Sequence, residues 1–286
     1  YTGVYGMQKA LKKYFPVFVL PTMTAFIIFF LIPFILGLYL SLCDFTTVSD
    51  TRFIGIENFQ KIWGDSTFVH SLWFTALFAG ASIVLINVLA FAVALFLTKQ
   101  FRGTNFFRTV FFMPNLIGGI VLGYIWQLIF NGILAYYSKT LTYSAVYGFW
   151  GLLILMCWQQ VGYMMIIYIA GLQSIPADLY EAARIDGATP SQRLSRITIP
   201  MSMPAITICT FLTLTNSFKL FDQNLALTAG QPSDKTEMLA LNIVHTFYNR
   251  IGWEGVGQAK AVVFFFIVAI LVISQLKMTR NREVQQ

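Results

Sequence analysis

The chain alternates long apolar runs with short polar segments. Stretches free of Asp, Glu, Lys and Arg run Tyr14–Cys43, Ser66–Thr98, Thr109–Ser138, Thr140–Ala177 and Ile197–Phe218. Each exceeds the roughly 20 residues that a helix needs to cross a ~30 Å hydrocarbon layer. A sixth run, Ala261–Leu276, is shorter. It reaches spanning length if Gly255–Ala259 join it and Lys260 snorkels to the interface. The pattern therefore predicts an all-α, polytopic membrane protein with six transmembrane helices, one transmembrane domain over 1–286. A further amphipathic stretch between Asp234 and Gly252 carries Met238, Leu241, Ile243, Val244 and Phe247 on its apolar face. It is too short to cross and is expected to lie at the outer interface. The first run is too long for a cleavable signal peptide and lacks a small-residue cleavage site.

Composition supports the membrane class. Of the 286 residues 57% are hydrophobic and only 11% charged, against about 25% charged in a soluble domain. The net charge of +7 does not indicate nucleic acid, because the basic residues sit in short loops between apolar runs, as topology signals do. With the N-terminus inside, Lys9, Lys12, Lys13, Lys99, Arg102, Arg108, Arg184, Arg193, Arg196, Lys277, Arg280 and Arg282 fall in inner segments. Only Arg52, Lys61, Lys139, Lys235 and Arg250 fall outside. Both ends are thus expected in the cytoplasm. Cys43, Cys157 and Cys209 lack pair spacing, and His70 and His245 are isolated, so neither a disulfide framework nor a metal site is expected.

The largest inner segment, 174–199 between spans four and five, has the pattern of a helix-turn-helix on the membrane surface. Pro176 ends span four. Asp178 is an expected N-cap, with Glu181 three residues on as in a capping box. Gly187 can take the left-handed conformation that closes the first helix. Thr189 caps a second helix with Pro190 at its first position, and Pro200 opens span five. Spacing alone would also fit an ordinary amphipathic connector.

The residues Tyr180-Glu181-Ala182-Ala183-Arg184-Ile185-Asp186-Gly187-Ala188, continued to Ile197-Thr198-Ile199-Pro200, resemble the E-A-A…G…I-x-L-P loop of permease subunits in bacterial ABC importers. Tyr180 before Glu181, and Asp186-Gly187-Ala188 after, look like the carbohydrate branch that moves maltose, lactose and multiple sugars. Leu194 departs from a common Phe, and Ile199 from a common Leu. A later segment, Leu227–Pro232, also resembles the family, with Gln231 where Gly is commoner. The resemblance implies that Glu181, Ala182, Ala183, Arg184, Asp186, Gly187 and Pro200 couple the chain to separate ATPase subunits. It further implies a second permease subunit in a heterodimer, two ATPase subunits, an extracytoplasmic sugar-binding protein, a carbohydrate substrate and a place in the bacterial cytoplasmic membrane. The sequence has no G-x-x-x-x-G-K-[ST] phosphate loop. ATP and Mg would therefore sit on the partners, with no cofactor on this chain and no enzyme activity of its own.

Polar groups in mid-membrane are costly and are default functional candidates. By the resemblance, Gln160, Tyr163, Asn216 and Ser217 line the central cavity; the other reading is hydrogen-bonded packing between helices. Tyr163 lies about 15 Å along the helix from Gln173, near the bilayer middle. Lys219 and Asp222 have the spacing to pair on one helix face. An ion-driven carrier would need ionisable groups deep in several spans, and this edge pair is the sole candidate. An intramembrane enzyme fails because both histidines fall near the outer surface. A purely structural scaffold leaves the polar residues of spans four and five without a role.

Overall fold

The structure, a computed structural model, describes the backbone of residues 2–47, 49–99 and 102–280, and the side chains of these from 14 to 279. The side chains of Lys9, Lys12, Lys13, Arg280 and Arg282, counted above as inner charges, lie outside the described residues. Contacts divide the chain into two units, Tyr1–Gly64 with Thr246–Val263, and Asp65–His245 with Phe264–Gln286.

The first unit begins with α1 (Thr2–Phe26), a π-helical turn (Ile27–Leu31) and α2 (Ile32–Leu40). The π-turn ends two residues before Pro33. A proline ring blocks the carbonyl four residues back and removes an N–H; one wide turn absorbs both defects without ending the helix. An antiparallel hairpin follows, β1 (Cys43–Thr47) and β2 (Asp50–Phe53), with Cys43 opposite Phe53. The fold is thus mostly helical rather than all-α. The hairpin stands where the chain turns from the first apolar run to polar residues. After it comes α3 (Glu57–Gly64), whose buried Asn58 donates to the carbonyls of Ser41 (3.0 Å) and Cys43 (2.8 Å). Those two bonds satisfy backbone that the hairpin leaves unpaired.

In the second unit, Asp65 caps α4 (Ser66–Leu97), its carboxylate accepting from Thr67 N at 3.1 Å. The third apolar run is not one rod. It forms α5 (Thr104–Phe112), a tight turn over Met113–Leu116 and α6 (Gly119–Ala135), bent by 101°. Pro114 prevents α5 from continuing, and Gly118 with Gly119 lets the backbone restart in a new direction. Helix α7 (Ala145–Gln173) is continuous, with Ser144 as N-cap.

The segment between α7 and the next long helix holds α8 (Ala177–Ile185), α9 (Pro190–Arg193), a π-turn over Leu194–Thr198 and α10 (Ile199–Met201). Here again the π-turn ends two residues before a proline, Pro200. Then α11 (Met203–Phe218) departs at 67°. So Pro200 sits before the break at Ser202 rather than opening the apolar helix itself. Helix α12 (Asp222–Leu227) follows α11. The break at Leu220–Phe221 puts Lys219 and Asp222 on different helices, and no ion pair joins them.

Last come α13 (Leu239–Asn249) and α14 (Glu254–Arg280). Met238, just before α13, and Leu239 and Leu241 in its first turn are buried within the protein. Lys260 does not snorkel: it is 0% exposed and donates to Thr246 Oγ1 at 2.7 Å. A nearby hydroxyl meets its charge where the sequence alone offered only water.

Among the described residues, four helices are long and apolar enough to cross a membrane, at Tyr14–Leu40, Ser66–Leu97, Ala145–Gln173 and Glu254–Thr279, and up to six if each bent pair is one span. In the second unit, α4, α7 and α11 pack around Phe78, Ile86, Leu155, Met164 and Tyr168. Tyr168 OH donates to Asn87 Oδ1 (2.6 Å), and Asn87 Nδ2 donates to Thr213 Oγ1 (3.4 Å), so one polar chain ties three helices. A hydrocarbon solvent gives such groups no other partner.

Candidate functional site

Two regions carry the residues singled out in the sequence. The first is the α8–α9 segment. Helix α8 ends in a paired hydrogen-bond motif: Ala188 N donates to Ala183 O (2.9 Å) and Gly187 N to Arg184 O (3.1 Å). This 6→1 and 5→2 pattern needs a left-handed residue between them, and Gly187 supplies it with φ +73°. Thr189 then caps α9, its Oγ1 accepting from Gln192 N (3.3 Å) while Gln192 Oε1 accepts from Thr189 N (2.8 Å). The capping box expected at Asp178 and Glu181 is instead here. Pro176 occupies the N-cap position of α8 without a side-chain bond, which moves Asp178 inside the first turn, where its charge still suits the helix dipole.

The two short helices are locked together. Tyr180 OH meets Thr198 Oγ1 at 3.1 Å, and Thr198 Oγ1 also donates to Arg193 O (3.3 Å). Tyr180 is half-buried against the core. Glu181, Ala182, Arg184, Asp186 and Gly187 are exposed, Ala183 and Pro200 are half-buried, and Ile185 is 87% exposed. An open groove of about 400 Å³ is lined by Ala183, Asp186, Gln192, Arg193, Arg196 and Ile197.

The second region surrounds the middle of α7. Asn216 Nδ2 donates to Gln160 Oε1 at 3.2 Å, which brings together two of the four residues expected to line a cavity. Tyr163 is half-buried one turn on from Gln160, and its hydroxyl makes no hydrogen bond among the described residues. Ser217 is 0% exposed, and its hydroxyl donates to Thr213 O at 2.7 Å; it is engaged in helix packing. Gln159 was not among the candidates. Its Nε2 donates to Ile117 O at 3.4 Å, at the break before α6, and its Oε1 accepts from Gln223 Nε2 at 2.7 Å. Two adjacent glutamines of α7 therefore serve different neighbours, Gln159 the break before α6 and α12, and Gln160 the end of α11. Their adjacency was visible in the sequence, but the broken helices that need them were not.

Close approach of the backbones makes this possible. A Cβ on Gly162 would collide with the Phe111 carbonyl, and one on Gly123 with Ala226 Cβ at 2.6 Å. Chemically, the cluster offers amide donors and acceptors with the aromatic face of Tyr163 beside them. That combination suits a polyhydroxylated ligand.

Sequence reasoning also missed a buried carboxylate. Glu237 is 3% exposed; its Oε1 lies 2.6 Å from His245 Nδ1, and its Oε2 accepts from Asn242 Nδ2 at 2.8 Å. His245 is thus paired rather than isolated, and His70 Nε2 contacts Lys235 O at 3.0 Å. The Glu237–His245 separation spans the turn into α13, so no helical spacing pointed to it.

The family described as "binding-protein-dependent transport system inner membrane component" matches residues 88–278. The chain is 44% identical over 281 residues to a probable starch degradation products transport system permease protein of Thermoanaerobacterium thermosulfurigenes, covering 94% of both. It is 31% identical to a multiple sugar-binding transport system permease protein of Streptococcus mutans, covering 97% of this chain and 99% of that one. Its fold is similar to a chain in the crystal structure of a bacterial alginate ABC transporter in complex with an alginate pentasaccharide-bound periplasmic protein, with a TM-score of 0.79, 20% identity and 96% of each chain covered. The α8–α9 loop and the amide cluster both fall inside the matched segment, and the chain belongs to the family of binding-protein-dependent transport system inner membrane components.

Proposed function

We propose that this chain is a permease subunit of an ATP-driven oligosaccharide importer in the bacterial cytoplasmic membrane. The observation that carries the reading is the α8–α9 loop. It is rigid by its Gly187 turn and Thr189 cap, and it presents Glu181, Ala182, Arg184, Ile185, Asp186 and Gly187 outward. Such a loop would transmit force, because its geometry is fixed at both ends and it joins α7 to α11 directly.

In this reading each bent pair is one span, giving six. The small Ala182 and Ala183 side chains let α8 seat closely on an ATPase subunit, Ile185 fills an apolar recess there, and Glu181 and Arg184 form rim contacts. ATP and Mg are bound by two such subunits in trans, and this chain carries no cofactor and no enzyme activity. A second permease subunit completes the pore, and an extracytoplasmic sugar-binding protein delivers substrate. Closure of the ATPases moves the loops, and α7 and α11 shift the cavity between its inward and outward openings. Gln160, Tyr163 and Asn216 would contact the sugar; Ser217, buried behind them, would hold α11 in register. The starch-product and multiple-sugar relatives favour an oligosaccharide.

The test is ATP hydrolysis by the reconstituted complex in liposomes, comparing the unaltered chain with Glu181→Lys and Gly187→Trp. Loss of binding-protein-stimulated hydrolysis in both variants, with normal membrane insertion, supports the reading. If no ATPase co-purifies, or if uptake follows a proton gradient and ignores both changes, the reading is wrong.

A further inference from the structure

Arg108 lies in α5, and it is not used by either region above. Its Nη2 donates to Leu97 O at 3.4 Å, one of the unpaired carbonyls at the end of α4. The rest of its fork finds no partner among the described residues, and its Nε is buried. A guanidinium has five N–H donors and keeps its charge at any pH in the physiological range. Leaving it under-satisfied beside apolar residues is costly unless another group completes it.

A pocket of about 250 Å³ opens beside it, lined by Arg108, Thr109, Phe112, Ile166 and Ile169. Thr109 is not a free donor, since its hydroxyl is given to Asn105 O. The pocket is therefore one cation at the end of an apolar cleft between α5 and α7. Ile166 and Ile169 lie four to seven residues before Gln173, the end of α7, so about 6–10 Å along the helix axis from it. The charge bias of the loops puts that end at the cytoplasmic surface.

Arg108 is the sole charged residue lining the pocket. Lys99 and Arg102 are exposed, and among the described residues no ion pair involves them or Arg108. The sequence has no acidic residue between Asp65 and Asp178. An occupant must then carry negative charge on a polar head and an apolar body, and must reach the site from the bilayer. We infer that the cleft between α5 and α7 binds one anionic phospholipid of the inner leaflet, its phosphate on Arg108 and an acyl chain along Phe112, Ile166 and Ile169. Lys99 and Arg102 favour an anionic over a zwitterionic headgroup, as basic pockets at the cytoplasmic face do. Because the lipid would bridge α5 and α7, the two helices that approach closest at Gly162, it would hold that pair together.

The experiment uses the assembled complex in nanodiscs, with native mass spectrometry reading bound lipid as phosphatidylglycerol replaces phosphatidylcholine. The expected result is retention of one phosphatidylglycerol per copy of this chain. Arg108→Gln weakens retention about tenfold, the order expected for losing a charge-assisted hydrogen bond. Ile169→Trp fills the cleft without touching the Arg108–Leu97 bond, and it abolishes retention. If Arg108→Gln does not assemble, Ile169→Trp and the lipid preference of the unaltered complex decide. Equal retention of both lipids, undiminished retention in Ile169→Trp, or displacement by millimolar inorganic phosphate would each overturn the assignment; the last would make it a free-phosphate site.

Discussion

At the scale of single residues, the polar groups inside the apolar helices divide by what they already touch. Asn87, Tyr168 and Thr213 satisfy one another across α4, α7 and α11. Such bonds contribute about 0.6 kcal/mol each and at most ~1.7. Tyr168→Phe is therefore expected to lower the thermal stability of the purified complex slightly and leave transport unchanged; a loss of transport at normal stability would mean that Tyr168 touches substrate. Gln160, Tyr163 and Asn216 are the opposite case, half-buried with hydrogen-bonding capacity left over. Asn216→Leu should raise KM for the sugar while basal ATP hydrolysis persists. Uptake with unaltered KM would remove Asn216 from the site. Glycine gives the sharpest steric test. Gly162→Val drives a side chain into the Phe111 carbonyl, and the expected outcome is failure of α5 and α7 to pack, read as loss of protease resistance.

Among the elements, two features decide the loop. The left-handed Gly187 closes α8, and the Thr189–Gln192 box opens α9. Gly187→Ala forces a Cβ into left-handed backbone at a cost of about 1–2 kcal/mol, and Thr189→Ala removes a cap that contributes about 1 kcal/mol. Both should raise amide exchange over residues 183–193 and reduce coupling in proportion; exchange confined to α11 would locate the weak point elsewhere. Sequence chemistry made Gly187, Thr189 and Pro190 legible, because each acts within four residues. The failed expectation, an Asp178 cap, has a local cause too: Pro176 already supplies the turn, so the helix starts one residue before Asp178. The prolines show the limit of this kind of reasoning. Pro33 and Pro200 each follow a π-turn that lets helix persist, while Pro114 ends one. Neighbouring backbone, absent from the sequence pattern, selects between those outcomes.

Across the whole molecule, apolar runs were enough to find the helices, because a hydrocarbon solvent enforces both length and composition. The ends of Ser66–Leu97 came within a residue of the charge-free run. Basic residues in loops and the Tyr180–Pro200 segment then pointed to the family that the comparisons show. Hydropathy could not show that the third and fifth runs bend by 101° and 67°, since a bent helix is as apolar as a straight one. It follows that Gln159, Gln223 and the Ile117 carbonyl could not be grouped beforehand. Nor could the Glu237–His245 pair, whose members join across a turn, or Lys260, whose charge is met inside the fold. Sequence by itself determined what short-range stereochemistry and the bilayer dictate: where the apolar helices run, and the Gly187 turn and Thr189 cap that shape the segment between α7 and α11. Only the tertiary structure decided which polar groups meet, because a buried donor's partner is fixed by how helices cross, and crossing depends on contacts distant along the chain.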